Sequence, residues 1–482
     1  MKILVLGLDC AAPEILFGDE RLVNIRRLMS LGAWGRLESV IPPITVPAWM
    51  CYATSQDPGS LGVYGFRNRT DHGYAGLGFA TSKSIQELAI WDQLAREGKR
   101  SVILGVPPNF PPRKVNGVSV GCFLTPSTSD SSDPYTYPTT AAAEIRALVG
   151  EYEPDVKGFR TNDKAWLRDA IFRMSRKFWT VVKHYVAKHD WDYLQCVDIG
   201  LDRVHHGFWK YHDPEHVLHE PDSPYKDVIR DYYLHLDREI GQVLELVNDD
   251  TIVLVMSDHG ARRLDGGFCI NEWLVREKLL VLDEYPKAVT PFEKLKVNWA
   301  ETSAWSEGGY YARIFINVRG REAEGRIGEK AEYESFRDQL AARLRQLVPD
   351  TLVFKPEEIY KSVRNVAPDL IVHFGGLAYR SIGGVGYGPE NLTILENDTG
   401  PDDCNHAQFG AFILASKNLP LQGEIEGARL LDLAPTLLEL TSVDVPSSMQ
   451  GRSLVGAAVR GELTLEQEQI IRERLSGLGY LG

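Results

Sequence analysis

Cysteine is scarce in this chain: six residues in 482, scattered and with no CxxC pair. A disulfide framework and a structural zinc knuckle are thereby excluded, and the usage suits a reducing, cytoplasmic setting. Long apolar runs are missing as well. Nothing approaches the roughly 20 apolar residues of a membrane span. The opening MKILVLGLDCAAPE is too short for a signal peptide, and an Asp interrupts it just before the small residues a cleavage site needs. It reads as a first buried strand. Internal repeats and low-complexity tracts are absent. Positive charge is in deficit: the formal net charge is −13, which argues against a nucleic acid polymer as partner. The same acidity is at odds with an anionic substrate unless bound cations reverse the sign locally.

What is present is core-forming material. Apolar residues make up 44% of the chain, ample for one large unit spanning 1–482. Short apolar runs alternate with helical patterns, which predicts an α/β fold with a mostly parallel central sheet and helices on both faces. The expected strands are Ile3–Leu8, Ser101–Val106, Tyr193–Val197, Thr251–Met256, Leu370–His373 and Ala411–Leu414. The expected helices are Val46–Ser55, Lys164–His189, Lys226–Val247, Glu332–Leu347 and Ala428–Leu440. Irregular stretches at Phe123–Thr140, Val281–Tyr311 and Tyr387–Asn405 read as insertions, the last two as lid segments.

Metal-competent residues stand where apolar strands stop. Asp9 follows ILVLGL, Asp198 and Asp202 follow the strand ending at Val197, and Asp258-His259-Gly260 follows IVLVMS. In open α/β sheets ligands gather at the carboxyl ends of strands, so these groups can share one cleft. Asp9 and Asp198, each taken alone, read as turn formers or helix caps. The Asp258-His259 pair is harder to explain that way, because the strand before it is too apolar to be exposed. In DRVHH a helix puts Asp202 and His206 on one face, at i and i+4, and turns His205 away. A plain ion pair fits that spacing equally well. His406, just before another apolar strand, reads by itself as a loop histidine; His184, His216, His235 and His373 suggest no chemistry.

Thr45, in PPITVPAW, sits at a helix start, where free N–H groups favour a phosphate oxygen. An ordinary N-cap threonine looks the same. Its hydroxyl is a poor nucleophile unless a base or metal ion activates it.

Taken in order, Asp9, Thr45-Val46-Pro47, Asp202-xxx-His206, Asp258-His259-Gly260 and His406 resemble the type I phosphodiesterase and nucleotide pyrophosphatase family of the alkaline phosphatase superfamily. The resemblance spans nearly the whole chain, through DRVHHGFWKYHD, INEWL, FINVRGRE, APDLIVHF and LLDLAPTLLEL to the C-terminal RLSGLGYLG. It implies two divalent metal ions, zinc or else manganese. Asp202, His206 and His406 would hold one, and Asp9, Asp258, His259 and the Thr45 oxygen the other. It further implies a phosphothreonine intermediate and a small phosphorylated, possibly nucleotide-like substrate. Where that family carries an Asn downstream of the nucleophile, this chain offers Asn68 between Arg67 and Arg69, a loose match that a turn-forming Asn explains as well. Cys10 stands where relatives often have Gly. Cys10, Cys51 and Cys404 read as packing residues more readily than as ligands.

Other readings stay open. A phosphomonoesterase, a phosphoryl transferase or a non-catalytic metal-bound scaffold would use the same residues. A sulfatase is excluded because Cys51 lacks the downstream Arg of its modification motif, and Thr45 argues against a phosphoglycerate mutase, which uses Ser. Arg67, Arg69, Lys83, Lys157 and Arg160 are candidate cations for the substrate, and Trp49, Tyr64 and Trp305 candidate stacking rings. Surface charge and core packing are the plainer accounts of both sets. The oligomeric state is not legible.

Overall fold

In the computed structural model, which describes residues 1–129, 132–388 and 390–455, the first strand β1 (Ile3–Leu8) runs through the middle of the molecule. Leu4, Leu6 and Leu8 enter one apolar cluster, while Ile3 and Val5 enter another. Successive strand side chains point to opposite faces, so this split places a covered layer on each side of the sheet. The stretch RLSGLGYLG at 474–482 lies outside the described residues.

The elements that matter for the site follow in chain order. They are β2 (Gly32–Glu38), α1 (Thr45–Thr54), β3 (Ser101–Leu104), β4 (Gly117–Val120), α2 (Lys164–Ala187), β5 (Tyr193–Asp198) and α3 (Gly200–His212). Then come α4 (Val228–Leu244), β6 (Ile252–Met256), β7 (Gly260–Arg263), β8 (Cys404–Ala407) and β9 (Phe409–Ala415). Within a ten-stranded sheet the order is β2-β9-β6-β1-β5-β3-β4, with short strands at the edges. The run β6-β1-β5-β3-β4 is parallel, and β9 lies antiparallel between β6 and β2.

Register decides where the chemistry sits. Leu8 is opposite Asp198 and Gly7 opposite Met256, so β1, β5 and β6 end nearly level. Asp9, Asp198 and Ser257-Asp258-His259 therefore leave the sheet at one edge. The antiparallel β9 starts at that edge, which returns β8 and His406 to it.

One face carries α2, α3 and α4, whose residues join Leu4, Leu6 and Leu8. In α2 the buried residues Leu167, Ala170, Ile171, Met174, Phe178, Val181, Val182 and Tyr185 recur at helical spacing, and Asp163 caps the start by accepting the Trp166 N–H. The opposite face carries α1 and the helix Leu433–Leu440.

Three expectations change. Leu370–His373 is a strand, but it belongs to a separate four-stranded antiparallel sheet with Ala304–Glu307, Ala312–Ile316 and Leu352–Phe354. That sheet lies in the chain between β7 and β8 and helps build an apolar cluster that includes Trp273, Phe315, Leu344 and Phe374. Val281–Tyr311 accordingly contains the strand Ala304–Glu307 instead of staying irregular. The helix expected over Ala428–Leu440 begins only at Leu433, after a bridge at Ala428–Arg429 and a tight turn at Leu430–Asp432. Pro435 explains the delay, because its missing N–H is harmless in a first turn and disruptive inside a helix. Among the described residues no helix is long and apolar enough to cross a membrane.

Candidate active site

The structure brings Asp9, Thr45, Asp202, His206, Asp258, His259 and His406 together, all buried. Thr45 opens α1, with Ile44 before it in extended conformation. Its Oγ1 is 3.2 Å from His259 Nε2 and 3.5 Å from Asp9 Oδ1, to which the hydroxyl donates. Trp49, one turn along α1, donates its indole N–H to Asp9 Oδ2 at 2.8 Å. A bulkier residue at Gly7 would collide with this Trp49 ring, so the glycine permits the helix to seat there.

Each histidine is turned the same way. His259 Nδ1 lies 3.1 Å from the Gly260 carbonyl, His406 Nδ1 2.9 Å from the Pro43 carbonyl, and His206 Nδ1 2.6 Å from Asp402 Oδ1. Such anchoring fixes each ring and aims its Nε2 inward. His206 Nε2 is 3.2 Å and His406 Nε2 3.6 Å from Asp202 Oδ1, and His259 Nε2 is 3.2 Å from Asp258 Oδ2. The rings of His259 and His406 stack at 3.8 Å, and Tyr310 stacks on His406 at 4.2 Å.

Burial sets the electrostatics. It pushes the Asp9 and Asp258 carboxyls well above their usual range, helped at Asp9 by Asp202 and at Asp258 by Asp9. Burial also pushes His259 down to about 4, and lowers His406 well below its ordinary value with His259 adding to the effect. Both imidazoles are thus neutral, the form that donates a lone pair. At Asp202 burial alone would raise the carboxyl, but His206, Arg203 and His406 together hold it well below. At His206 burial is overridden by Asp402 foremost, which raises it well above normal.

Among the described residues the buried atoms His206 Nε2, His406 Nε2, Asp202 Oδ1 and Asp258 Oδ2 have no hydrogen-bond partner. Buried polar groups without partners are costly, and a bound cation would relieve that cost. Two triples offer ligand atoms within 4.8 Å of one another: Asp202, His259 and His406, and Asp9, Asp258 and His259. The donor set therefore fits divalent metal, with His259 reaching both triples and His206 facing Asp202.

Several neighbouring residues have other work. Asp198 accepts from Ser175, Trp179, Tyr232 and the Gly200 N–H, each at 2.8 Å, and is a structural anchor. His205 packs its ring against Trp209 and Tyr233, as the helical period requires. Asn68 is a turn former: its Oδ1 accepts the Tyr64 N–H and its amide donates to the Gly65 carbonyl. Arg69 is buried between Trp305 and Phe315 and paired with Glu322. Cys10, Cys51 and Cys404 are buried free thiols. Cys10 adopts φ +66°, the left-handed conformation that glycine takes without strain.

Sequence reasoning missed Asp402, which braces His206 and is itself held by Arg160 and Arg380. It also missed Arg203, which binds Asp202 and Asp155, and the Tyr310 ring. The doublet Asp402-Asp403 just before His406 was the available signal. Beside the centre is a cavity of about 640 Å³, bordered by Ile44, Arg203, Tyr310 and parts of both expected lid segments, such as Phe292 and Asp398.

The family model for type I phosphodiesterase / nucleotide pyrophosphatase matches residues 3–399. The chain belongs to that family, and it is an enzyme of the phosphodiesterase and phosphatase type. No curated protein sequence matches it significantly. Among solved structures, human ectonucleotide pyrophosphatase / phosphodiesterase 5 is similar at 14% identity and TM-score 0.53, covering 92% of this chain and 96% of that one. Phosphonoacetate hydrolase from Sinorhizobium meliloti 1021 is similar in complexes with phosphonoacetate (TM-score 0.57, 14% identity) and phosphonoformate (0.56, 15%). Each comparison covers 90% of this chain and 94% of the other. These likenesses establish an alkaline phosphatase-like fold.

Proposed function

We propose that the protein is a metal-dependent phosphoryl hydrolase, of phosphodiesterase or nucleotide pyrophosphatase type, in which Thr45 is the nucleophile. One observation carries this reading: the Thr45 hydroxyl is buried 3.2 Å from His259 Nε2, beside a convergence of unpartnered carboxylate and imidazole atoms. Asp202, His206 and His406 would hold one divalent ion, and Asp9, Asp258 and His259, with Thr45, the other; zinc suits the nitrogen share. Bound there, such ions supply electrostatic stabilisation of developing negative charge and make hydroxyl and water more acidic.

The chain's own groups supply the rest. Thr45 Oγ1 attacks phosphorus as its hydroxyl proton passes to solvent, and the leaving group departs with its ester oxygen and the P–O bond electrons. A water then attacks the phosphothreonine, the P–Oγ1 bond breaks, and a proton from that water restores the Thr45 hydroxyl as the phosphorylated product is released. Ala48 is the donor of the first helical hydrogen bond, to the Ile44 carbonyl at 2.9 Å, and Pro47 has no N–H. The N–H groups of Thr45 and Val46 thus precede the helical ladder, at the end of α1 where the dipole favours a phosphate oxygen. Trp49 holds Asp9 in place beneath the nucleophile. The solved phosphonoacetate hydrolase complexes, which hold small phosphorus oxyanions, support a substrate of similar size and charge.

Thr45→Ala tests the reading. Nitrophenol release from bis-p-nitrophenyl phosphate should fall by at least about a thousandfold while bound metal stays near the wild-type level. Near-normal turnover in that variant would end the covalent mechanism.

A further inference from the structure

The substrate's leaving group, we propose, carries a second anion, phosphate or carboxylate, held by Arg313 and Arg67 in the cavity beside the centre; this rests on the hydrolase reading above. The cavity meets the centre at Ile44, the residue before Thr45, and at Tyr310, which stacks on His406. Among the described residues five arginines line it, and they are not equivalent. Arg203 is committed to Asp155 and Asp202, and Arg160 and Arg380 share Asp402.

Arg313 differs from these in its lack of an ion pair: it is as buried as Arg203, pairs with no described carboxylate, and donates from its guanidinium to the Arg67 carbonyl. Its Nε, like that of Arg380, is buried without a partner among the described residues. Arginine cannot shed its charge, so a buried guanidinium in this state is costly until an anion reaches it. A planar fork of donors matches the paired oxygens of a carboxylate or phosphate.

The nearby carboxylates do not fill this need. Glu307 faces Arg313 across the paired strands, yet its ion contact is with Arg67, at 3.9 Å. Burial pushes the Glu307 carboxyl up, against Arg313 and Arg67. Asp398, also lining the cavity, is pushed up by burial, and Glu293 is the remaining acid there. Two cations beside one reluctant carboxylate leave this part of the cavity attractive to an anion.

Calorimetric titration of the metal-loaded full chain tests this without turnover. The probes are n-propylphosphonate, 3-phosphonopropionate and propane-1,3-bisphosphonate. The second anion should tighten binding about tenfold or more, as a charge-assisted hydrogen bond would, and the two anionic probes tell carboxylate from phosphate. Arg313→Gln should erase most of that advantage and Arg313→Lys should keep part of it. Metal chelation by the probes would not respond to either change. Arg67→Gln, at a side chain 43% exposed, should narrow the advantage several-fold and serves if Arg313→Gln does not fold. Equal affinity for all three probes in the wild type, or an advantage undiminished in the arginine variants, would overturn the proposal. So would tighter binding of phosphocholine than of n-propylphosphonate, because that outcome marks a site for a cation. Hydrolysis of bis-p-nitrophenyl phosphate is measured alongside. Its absence with the probe preference intact would sink the hydrolase reading alone.

Discussion

His206 Nδ1 lies 2.6 Å from Asp402 Oδ1, and this contact aims His206 Nε2 at Asp202. A carboxylate behind an imidazole fixes its tautomer and raises its basicity as a ligand. Asp402→Ala should therefore weaken metal binding about 10- to 100-fold, although Asp402 itself would touch no metal. Competition against a chromogenic chelator reads this directly. Wild-type affinity in the variant would leave the contact without a function.

Cys10 sits at φ +66° between Asp9 and Ala11, and its N–H donates to Asp258 Oδ1 at 3.3 Å. A β-branched side chain is least tolerated in that conformation. Cys10→Val should cost about 1–3 kcal/mol and lower activity by displacing Asp9, whereas Cys10→Gly should keep most of the activity. Urea unfolding and ester hydrolysis on both variants check it. A fully active, fully stable valine variant would count against the strain argument.

Asp198 is the buried acceptor of four donors at the end of β5. Removing it strands Trp179, Tyr232 and the Gly200 N–H, while Ser175 keeps its contact with His235 Nε2. Asp198→Ala should destabilise the fold by about 3–5 kcal/mol. A denaturation midpoint within error of the wild type would show that the network is dispensable.

Legibility in the sequence was uneven, and the reasons are physical. Of the parallel strands, β1, β3, β5 and β6 were readable because both faces are buried, so each is mostly apolar, as in ILVLGL, whereas β4 (GVSV), only half buried, was not read. Asp258-His259 stood out for the same reason, as polar residues at the end of a run with no solvent to face. Asp202 and His206 needed only the helical period. Asp402 could not be told from Asp403, because which of the two meets His206 depends on how the chain enters β8 and on tertiary packing. The second antiparallel sheet was obscured because its strands are short and lie between irregular segments. Leu370–His373 could be read as a strand, but its partners could not, since nothing local says which sheet a buried run will join. Of the cavity's arginines, Arg67 and Arg160 looked like surface charge, and Arg313 drew no reading, because its burial follows from strand pairing.

Metal content and diester hydrolysis, measured together on the purified protein before and after chelation, test the central claim most directly. The account predicts two divalent ions per chain, loss of nitrophenol release on chelation, and its return when zinc or manganese is restored. His406→Ala, measured in parallel, should carry less metal as well as less activity. A folded, metal-free protein that hydrolyses the ester at the original rate would contradict the account.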